Sequence, residues 1–285
     1  MRNHQEKLIP IGKGKLFCRL FGHGDPIIVI HGAPMLSQDY LLPYMANLSE
    51  NHFLVFYDQR GCGKSVFELN DEQINMPIFV EDIETIRKTL NLNKIIILGH
   101  SWGTFLSLKY TLKYPESVKK LILLDPMPAS MEDLKLFTQE KARREVHLDE
   151  LKRIEASESY KLGDPQSTER RLKLHFQTYL SNPNDIEKMN LKLSREAFLS
   201  GISVLEILKN NFFLKPFNIY EEIKNIQVPT LILHGEESPV SSEVVEHLHQ
   251  SIPNSQLIQL KHCGHFPHIE QPESMLSAIN HFVET

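Results

Sequence analysis

Short runs of aliphatic and β-branched residues recur along the chain, bounded by glycine, proline or charged residues, and longer stretches between them repeat apolar positions every three or four residues. The runs predict strands at 16–20, 27–30, 53–56, 95–98, 120–124, 230–233 and 256–259. The longer stretches predict helices near 37–47, 78–91, 104–113, 242–251 and 273–284. Strands alternating with helices predict an α/β protein with a mostly parallel sheet and helices on both faces. Pro229 and Pro253 fall at element edges, where a missing N–H does least harm.

The pattern changes between Pro126 and Ile223. Strand-like runs disappear, charges become frequent, and amphipathic helical patches appear at 134–144, 170–180 and 196–208. Gly163-Asp164-Pro165 and Asn182-Pro183-Asn184 read as turns between them. The expected organisation is a core made of residues 1–126 and 223–285, with 127–222 inserted as a helical cap. Such an insertion is expected to lie over the strand ends, where open α/β sheets bind ligands.

Composition narrows the function. The chain has 285 residues, 41% hydrophobic, with a net charge of −5. That balance offers no basic field for nucleic acid or anionic lipid. Its apolar runs are too short to span a bilayer, and its polar first ten residues predict no signal peptide. Cys18, Cys62 and Cys263 are odd in number and lack metal-ligand spacing, which points to a reducing, cytoplasmic setting with no metal and no cofactor. Cys263 reads as a small packing residue. The expected partner is a small molecule or short peptide.

The chemistry concentrates at four places. Gly99-His100-Ser101-Trp102-Gly103 follows the run at 95–98 and opens the helix at 104–113. A serine on so sharp a strand-to-helix turn presents its hydroxyl as a nucleophile, so Ser101 is the candidate. A serine hydroxyl is weak until a base takes its proton. His262-Cys263-Gly264-His265-Phe266-Pro267-His268 lies between the last strand and the last helix, a loop able to bring an imidazole over the sheet end, and His265 is the candidate base. His31-Gly32-Ala33-Pro34 follows the strand at 27–30. Acyl transfer builds negative charge on the carbonyl oxygen, and losing one N–H donor to it costs about 3 kcal/mol. Pro34 cannot donate, so the expected oxyanion donors are the N–H groups of Ala33 and Trp102. The fourth place, Asp58-Gln59-Arg60-Gly61-Cys62-Gly63-Lys64-Ser65, ends like a phosphate-binding loop. Asp58 stands where that loop needs its first glycine, so a turn-rich loop is the better reading.

These segments, in this order over nearly the whole length, resemble the α/β hydrolases with a helical cap. Asp58–Ser65 in sequence and Ser101-Trp102-Gly103-Thr104 resemble the proline iminopeptidases within that superfamily. The resemblance implies an eight-stranded sheet, removal of an N-terminal residue from peptides, Ser101 and His265 as catalytic residues, and N–H donors from Ala33 and Trp102. Two departures stand out. Ala33 replaces the second glycine of the usual His-Gly-Gly-Pro, and the cap has no clear counterpart of the glutamate that grips the substrate amine. Glu206, flanked by apolar residues, reads as a solvated helix residue. A carboxylesterase of small acyl esters is therefore the close alternative, and a non-catalytic ligand-binding or receptor protein on the same scaffold is the alternative of a different class.

The family pattern also places an aspartate three residues after the glycine that closes the penultimate strand. Here that glycine is Gly235, and the position holds Ser238, which carries no charge. Without a carboxylate the histidine loses its fixed tautomer. Asp125, after the strand at 120–124, resembles the acid of haloalkane dehalogenases and is the favoured candidate. Glu237 is second and Glu236 third.

Overall fold

The computed structural model describes residues 3–42, 44–70 and 72–285. Among them, eight strands form one sheet: β1 (Gln5–Ile11), β2 (Gly14–Phe21), β3 (Asp25–Ile30), β4 (His52–Tyr57), β5 (Ile95–Ser101), β6 (Val118–Pro126), β7 (Thr230–Gly235) and β8 (Ser255–Leu260). Their order is β1-β2-β4-β3-β5-β6-β7-β8. β1 and β2 run antiparallel to their neighbours, and every pairing from β4 to β8 is parallel.

Adjacent residues of the central strands feed opposite cores. Ile28 and Ile30, Ile95 and Ile97, and Leu121 and Leu123 pack on one face, with α1 (Met76–Thr89) and α2 (Trp102–Lys113). Ile27 and Val29, Ile96 and Leu98, and Ile122 and Leu124 pack on the other, against the C-terminal helix Pro272–Glu284. Continuous apolar runs are what a parallel strand covered on both faces requires.

Two expectations need correction. β1 falls in the polar N-terminal stretch and gave no strand signal. It is an edge strand in which Ile9 alone is buried, so neither face carries the apolar alternation that reveals strands. The span 37–47 is not an α-helix but two 3-10 segments, Gln38–Leu41 and Tyr44–Glu50, with position 43 outside the described residues. Leu42 is extended, as expected for a residue that a proline follows in the sequence.

Between β6 and β7 the described chain is helical. The segment contains α3 (Met131–Arg144), α4 (Leu148–Ala156), α5 (Glu158–Lys161), α6 (Pro165–Phe176) and α7 (Arg195–Leu208), and then a short π turn, Lys209–Phe213. Ser130, Asp164 and Ser194 cap α3, α6 and α7 through their side chains, each meeting an otherwise unpaired N–H of the first turn. No helix among the described residues is long and apolar enough to cross a membrane.

Candidate active site

Ser101 ends β5 with φ +53°, and α2 begins at the next residue. A left-handed serine is strained, and the surroundings hold it there. A Cβ on Gly99 would lie 2.4 Å from Gly103 O, and one on Gly103 would lie 2.3 Å from Ile30 O. Only glycine lets the helix sit this close to β3 and β5, which explains the spacing around the serine.

The loop after β8 brings His265 to it. His265 Nε2 lies 2.9 Å from Ser101 Oγ. The other ring nitrogen, Nδ1, lies 2.6 Å from Asp125 Oδ1. Serine, imidazole and carboxylate are thus in hydrogen-bond sequence, with His265 and Asp125 buried and Ser101 half-buried.

Asp125 occupies an irregularity. The β5–β6 register shifts between His100 and Ser101, so that His100 pairs with Leu124 but Ser101 with Pro126. Asp125 is the extra residue, at φ +44°, as in a β-bulge that re-aims a side chain. Its Oδ2 accepts from Gly235 N at 3.0 Å and its Oδ1 from Ser238 Oγ at 2.7 Å. Burial opposes its ionisation, but the His265 and His234 rings beside it outweigh burial and hold the carboxyl far below the usual carboxylate range. His234 was not singled out from sequence. It is fully buried on β7, with Nδ1 3.3 Å from Asp125 Oδ2. Its place as an apparent core residue of a strand hid it.

The other acid candidates point elsewhere. Glu237 is exposed and accepts from Ser181 Oγ at 2.8 Å. Glu236 is also exposed. Ser238 is buried and places its hydroxyl 3.3 Å from His265 Nδ1.

Ala33, at φ +38°, follows β3 in a loop pressed against the nucleophile, since a Cβ on Gly32 would meet Ser101 Cβ at 2.8 Å. Trp102 N is the first amide of α2, one of the N–H groups that a helix leaves unpaired. A network missed from sequence joins this loop to the base. Gly32 N donates to Tyr40 Oη at 2.7 Å, and Tyr40 Oη lies 2.6 Å from His100 Nδ1. On the far side of that ring, His100 Nε2 lies 2.8 Å from His265 O. Since the carbonyl can only accept, Nε2 carries the proton and Tyr40 donates to Nδ1.

The segment that mimics a phosphate loop has a bracing part. Asp58, buried, accepts from Gln38 N, Gln38 Nε2 and Lys64 N. Gln59 Nε2 donates to His31 O at 2.6 Å, and Gln59 Oε1 accepts from Trp102 Nε1 at 2.9 Å. Arg60 makes a buried two-pronged pair with Asp82 on α1, both contacts 2.6 Å. The loop ties the β3 turn to the first residue of α2.

The remaining sequence candidates lie apart from the serine. His268 is buried beneath the site, with Nε2 3.2 Å from Tyr40 O, and burial lowers it to about 3. His262 is exposed near Glu237. Glu206 is exposed on α7. All three cysteines are buried and unpaired. Among the described residues no cluster of histidine, cysteine and carboxylate side chains could hold a metal.

A cavity of about 460 Å³ opens over Ser101. The β3 turn contributes Ala33 and Met35, the β6 end Met127, α3 Phe137 and Lys141, α6 Arg171 and His175, and α7 Ile202 and Leu205. Its wall is mostly apolar.

A sequence profile of the family described as "alpha/beta hydrolase fold" matches residues 25–272. The chain belongs to the α/β hydrolase fold family. This α/β hydrolase is proline iminopeptidase-like. It is 29% identical to the proline iminopeptidase of Heyndrickxia coagulans over 99% of both chains. With that of Thermoplasma volcanium it shares 30% identity over 94% of this chain and 91% of the other. The fold matches an α/β fold family hydrolase from Bacillus anthracis with a TM-score of 0.75 at 21% identity, covering 98% of this chain and 99% of that one. With these relatives the chain is a hydrolase, as expected, and not the alternative of a non-catalytic binding protein.

Proposed function

We propose that this hydrolase cleaves an ester or amide through an acyl-enzyme on Ser101. The observation that carries the reading is the hydrogen-bond sequence from Ser101 Oγ through His265 to Asp125, at 2.9 and 2.6 Å. Ser101 Oγ attacks the carbonyl carbon while His265 Nε2 takes its proton. The N–H groups of Ala33 and Trp102 receive the developing oxyanion. His265 then gives the proton to the leaving oxygen or nitrogen, and the acyl group remains on Ser101. Water, deprotonated by the same imidazole, releases the acid. Asp125 accepts from His265 Nδ1 throughout, fixing the tautomer and stabilising the imidazolium. Residues 127–222 act as a cap that shapes the substrate pocket. A cytoplasmic setting fits the three unpaired thiols.

The names of the curated relatives favour a second reading, release of an N-terminal residue from a peptide. The cavity favours the ester or neutral amide, because among the described residues its lining holds no Asp or Glu to pair with a free amine. A panel of p-nitrophenyl acyl esters beside prolyl and alanyl p-nitroanilides separates the two. Ester turnover with fluorophosphonate labelling that Ser101→Ala abolishes is the expected result. Exclusive cleavage of the anilides establishes the aminopeptidase. Absence of both turnover and labelling contradicts the proposal.

A further inference from the structure

The charged residues of the cavity are all of one sign. Lys141, Arg171 and Lys209 contribute cations to its lining, and no carboxylate faces them among the described lining residues. Arg171 is matched outside the cavity by Glu155, at 2.8 Å. Lys141 makes no ion pair among the described residues. Its contacts are aromatic, with Nζ 5.1 Å from the Phe137 ring centroid and 5.5 Å from that of Tyr179. Burial and the neighbouring Arg171 both press the ammonium toward losing its proton, with Glu145 opposing them. A half-buried cation of this kind is a site waiting for an anion.

Its place in the pocket identifies which part of a substrate would supply that anion. The same two rings flank the catalytic imidazole: Phe137 stacks 6.3 Å from His265, and Tyr179 lies edge-on at 5.5 Å. Tyr179 is fixed there, since His265 N donates to Tyr179 O at 2.8 Å. His265 delivers its proton to the leaving atom, so the leaving group must lie on the imidazole side of Ser101, along this wall. Lys141 Nζ stands over the same two rings, at 5.1 and 5.5 Å from their centroids.

We propose that the pocket selects esters or amides whose leaving group carries a carboxylate, seated on Lys141 along the Phe137–Tyr179 wall. This rests on the acyl-enzyme reading above and adds the chemistry of the leaving group. Release of a hydroxy acid or an amino acid is the implied outcome, with an apolar acyl group held among the apolar residues of the lining, such as Met35 and Ile202. The acyl group transferred to Ser101 is the same in both members of a substrate pair, so a difference between them reports the leaving-group site.

The test compares the butyrate ester of 3-hydroxybenzoate with the butyrate ester of methyl 3-hydroxybenzoate, which lacks the charge. The wild-type enzyme is expected to favour the charged ester by about tenfold or more in kcat/KM, chiefly through KM, as for a charged hydrogen bond. Lys141→Met should bring the ratio to about one, and Lys141→Arg should restore part of it. Product inhibition of the wild type supplies a check that needs no variant: 3-hydroxybenzoate should compete with substrate, and its methyl ester should compete far more weakly. Equal turnover of both esters by the wild type, or a preference unchanged in Lys141→Met, overturns the carboxylate site and leaves the hydrolase reading standing. Turnover of neither ester, together with no fluorophosphonate labelling of Ser101, overturns the hydrolase reading itself.

Discussion

Ser238 donates a 2.7 Å hydrogen bond to Asp125 Oδ1, the oxygen that also faces His265 Nδ1. The position where the family pattern expects an acid therefore holds a neutral hydrogen-bond partner of the carboxylate that faces His265. The carboxylate reaches the imidazole from β6 rather than β7, and a buried serine, Ser238, stands after β7.

Asp125→Asn is expected to lower kcat by about 10³-fold or more while far-UV circular dichroism stays unchanged, because the amide cannot fix the imidazole tautomer or stabilise the imidazolium. Glu237→Gln should leave kcat unchanged. Ester hydrolysis under saturating substrate checks both. Intact turnover in Asp125→Asn with loss in Glu237→Gln reverses the assignment.

Because the two positions converge on one nitrogen, the acid should be movable. Ser238→Asp alone places two carboxylates in contact and is expected to lose both activity and stability, since like charges this close disfavour ionisation. Combined with Asp125→Asn, the same substitution should recover about tenfold or more of the kcat lost by Asp125→Asn. No recovery in the double variant, with its fold intact, would mean that the β7 position no longer aims at His265.

Tyr40 Oη connects Gly32 N to His100, and His100 in turn holds the His265 backbone. Tyr40→Phe leaves a buried amide and a buried ring nitrogen unpaired, at a cost of about 1–3 kcal/mol each. The expected outcome is a lower melting temperature and a fall in kcat larger than any change in KM, as the loop bearing Ala33 loosens. Thermal unfolding and steady-state kinetics measure the two effects. A rise in KM at constant kcat would place Tyr40 in substrate binding instead.

Much of this was legible in the sequence because it depends on local geometry. The apolar runs marked the central strands, and Gly99, Ser101 and Gly103 marked the elbow through steric demands within a few residues. What escaped depends on contacts remote in the chain. β1 is an edge strand that buries Ile9 alone, and so shows no hydrophobic period. The tautomer chain through Tyr40 and His100 joins residues 60 and 165 positions apart. The position of Asp125 was readable, but the bulge that turns it toward His265 arises from pairing with β5.

Glu270 holds the histidine loop from below. Its carboxylate accepts from Ser181 N at 2.7 Å, Gly264 N at 3.0 Å and Phe266 N at 3.2 Å. Burial nevertheless raises it from an ordinary 4.5 to about 7, against the pull of those donors. An acid whose folded value is the higher one binds its proton more tightly when folded, so its contribution to stability is fullest below pH 4.5 and is lost as pH rises to about 7. Glu270→Gln cannot ionise, so the stability of the wild type relative to this variant should decline across that window. Urea midpoints taken at intervals from pH 4.5 to 8 supply the comparison. A relative stability that grows with pH contradicts it.

The acyl-enzyme on Ser101 can be trapped directly. Wild-type protein mixed with excess p-nitrophenyl butyrate, quenched in acid within the first turnovers and digested, should yield a butyryl adduct on the peptide containing Ser101. Asp125→Asn should form that adduct more slowly, and Ser101→Ala should not form it. Turnover by the wild type with no adduct on that peptide, or an adduct on the same peptide in Ser101→Ala, would contradict it.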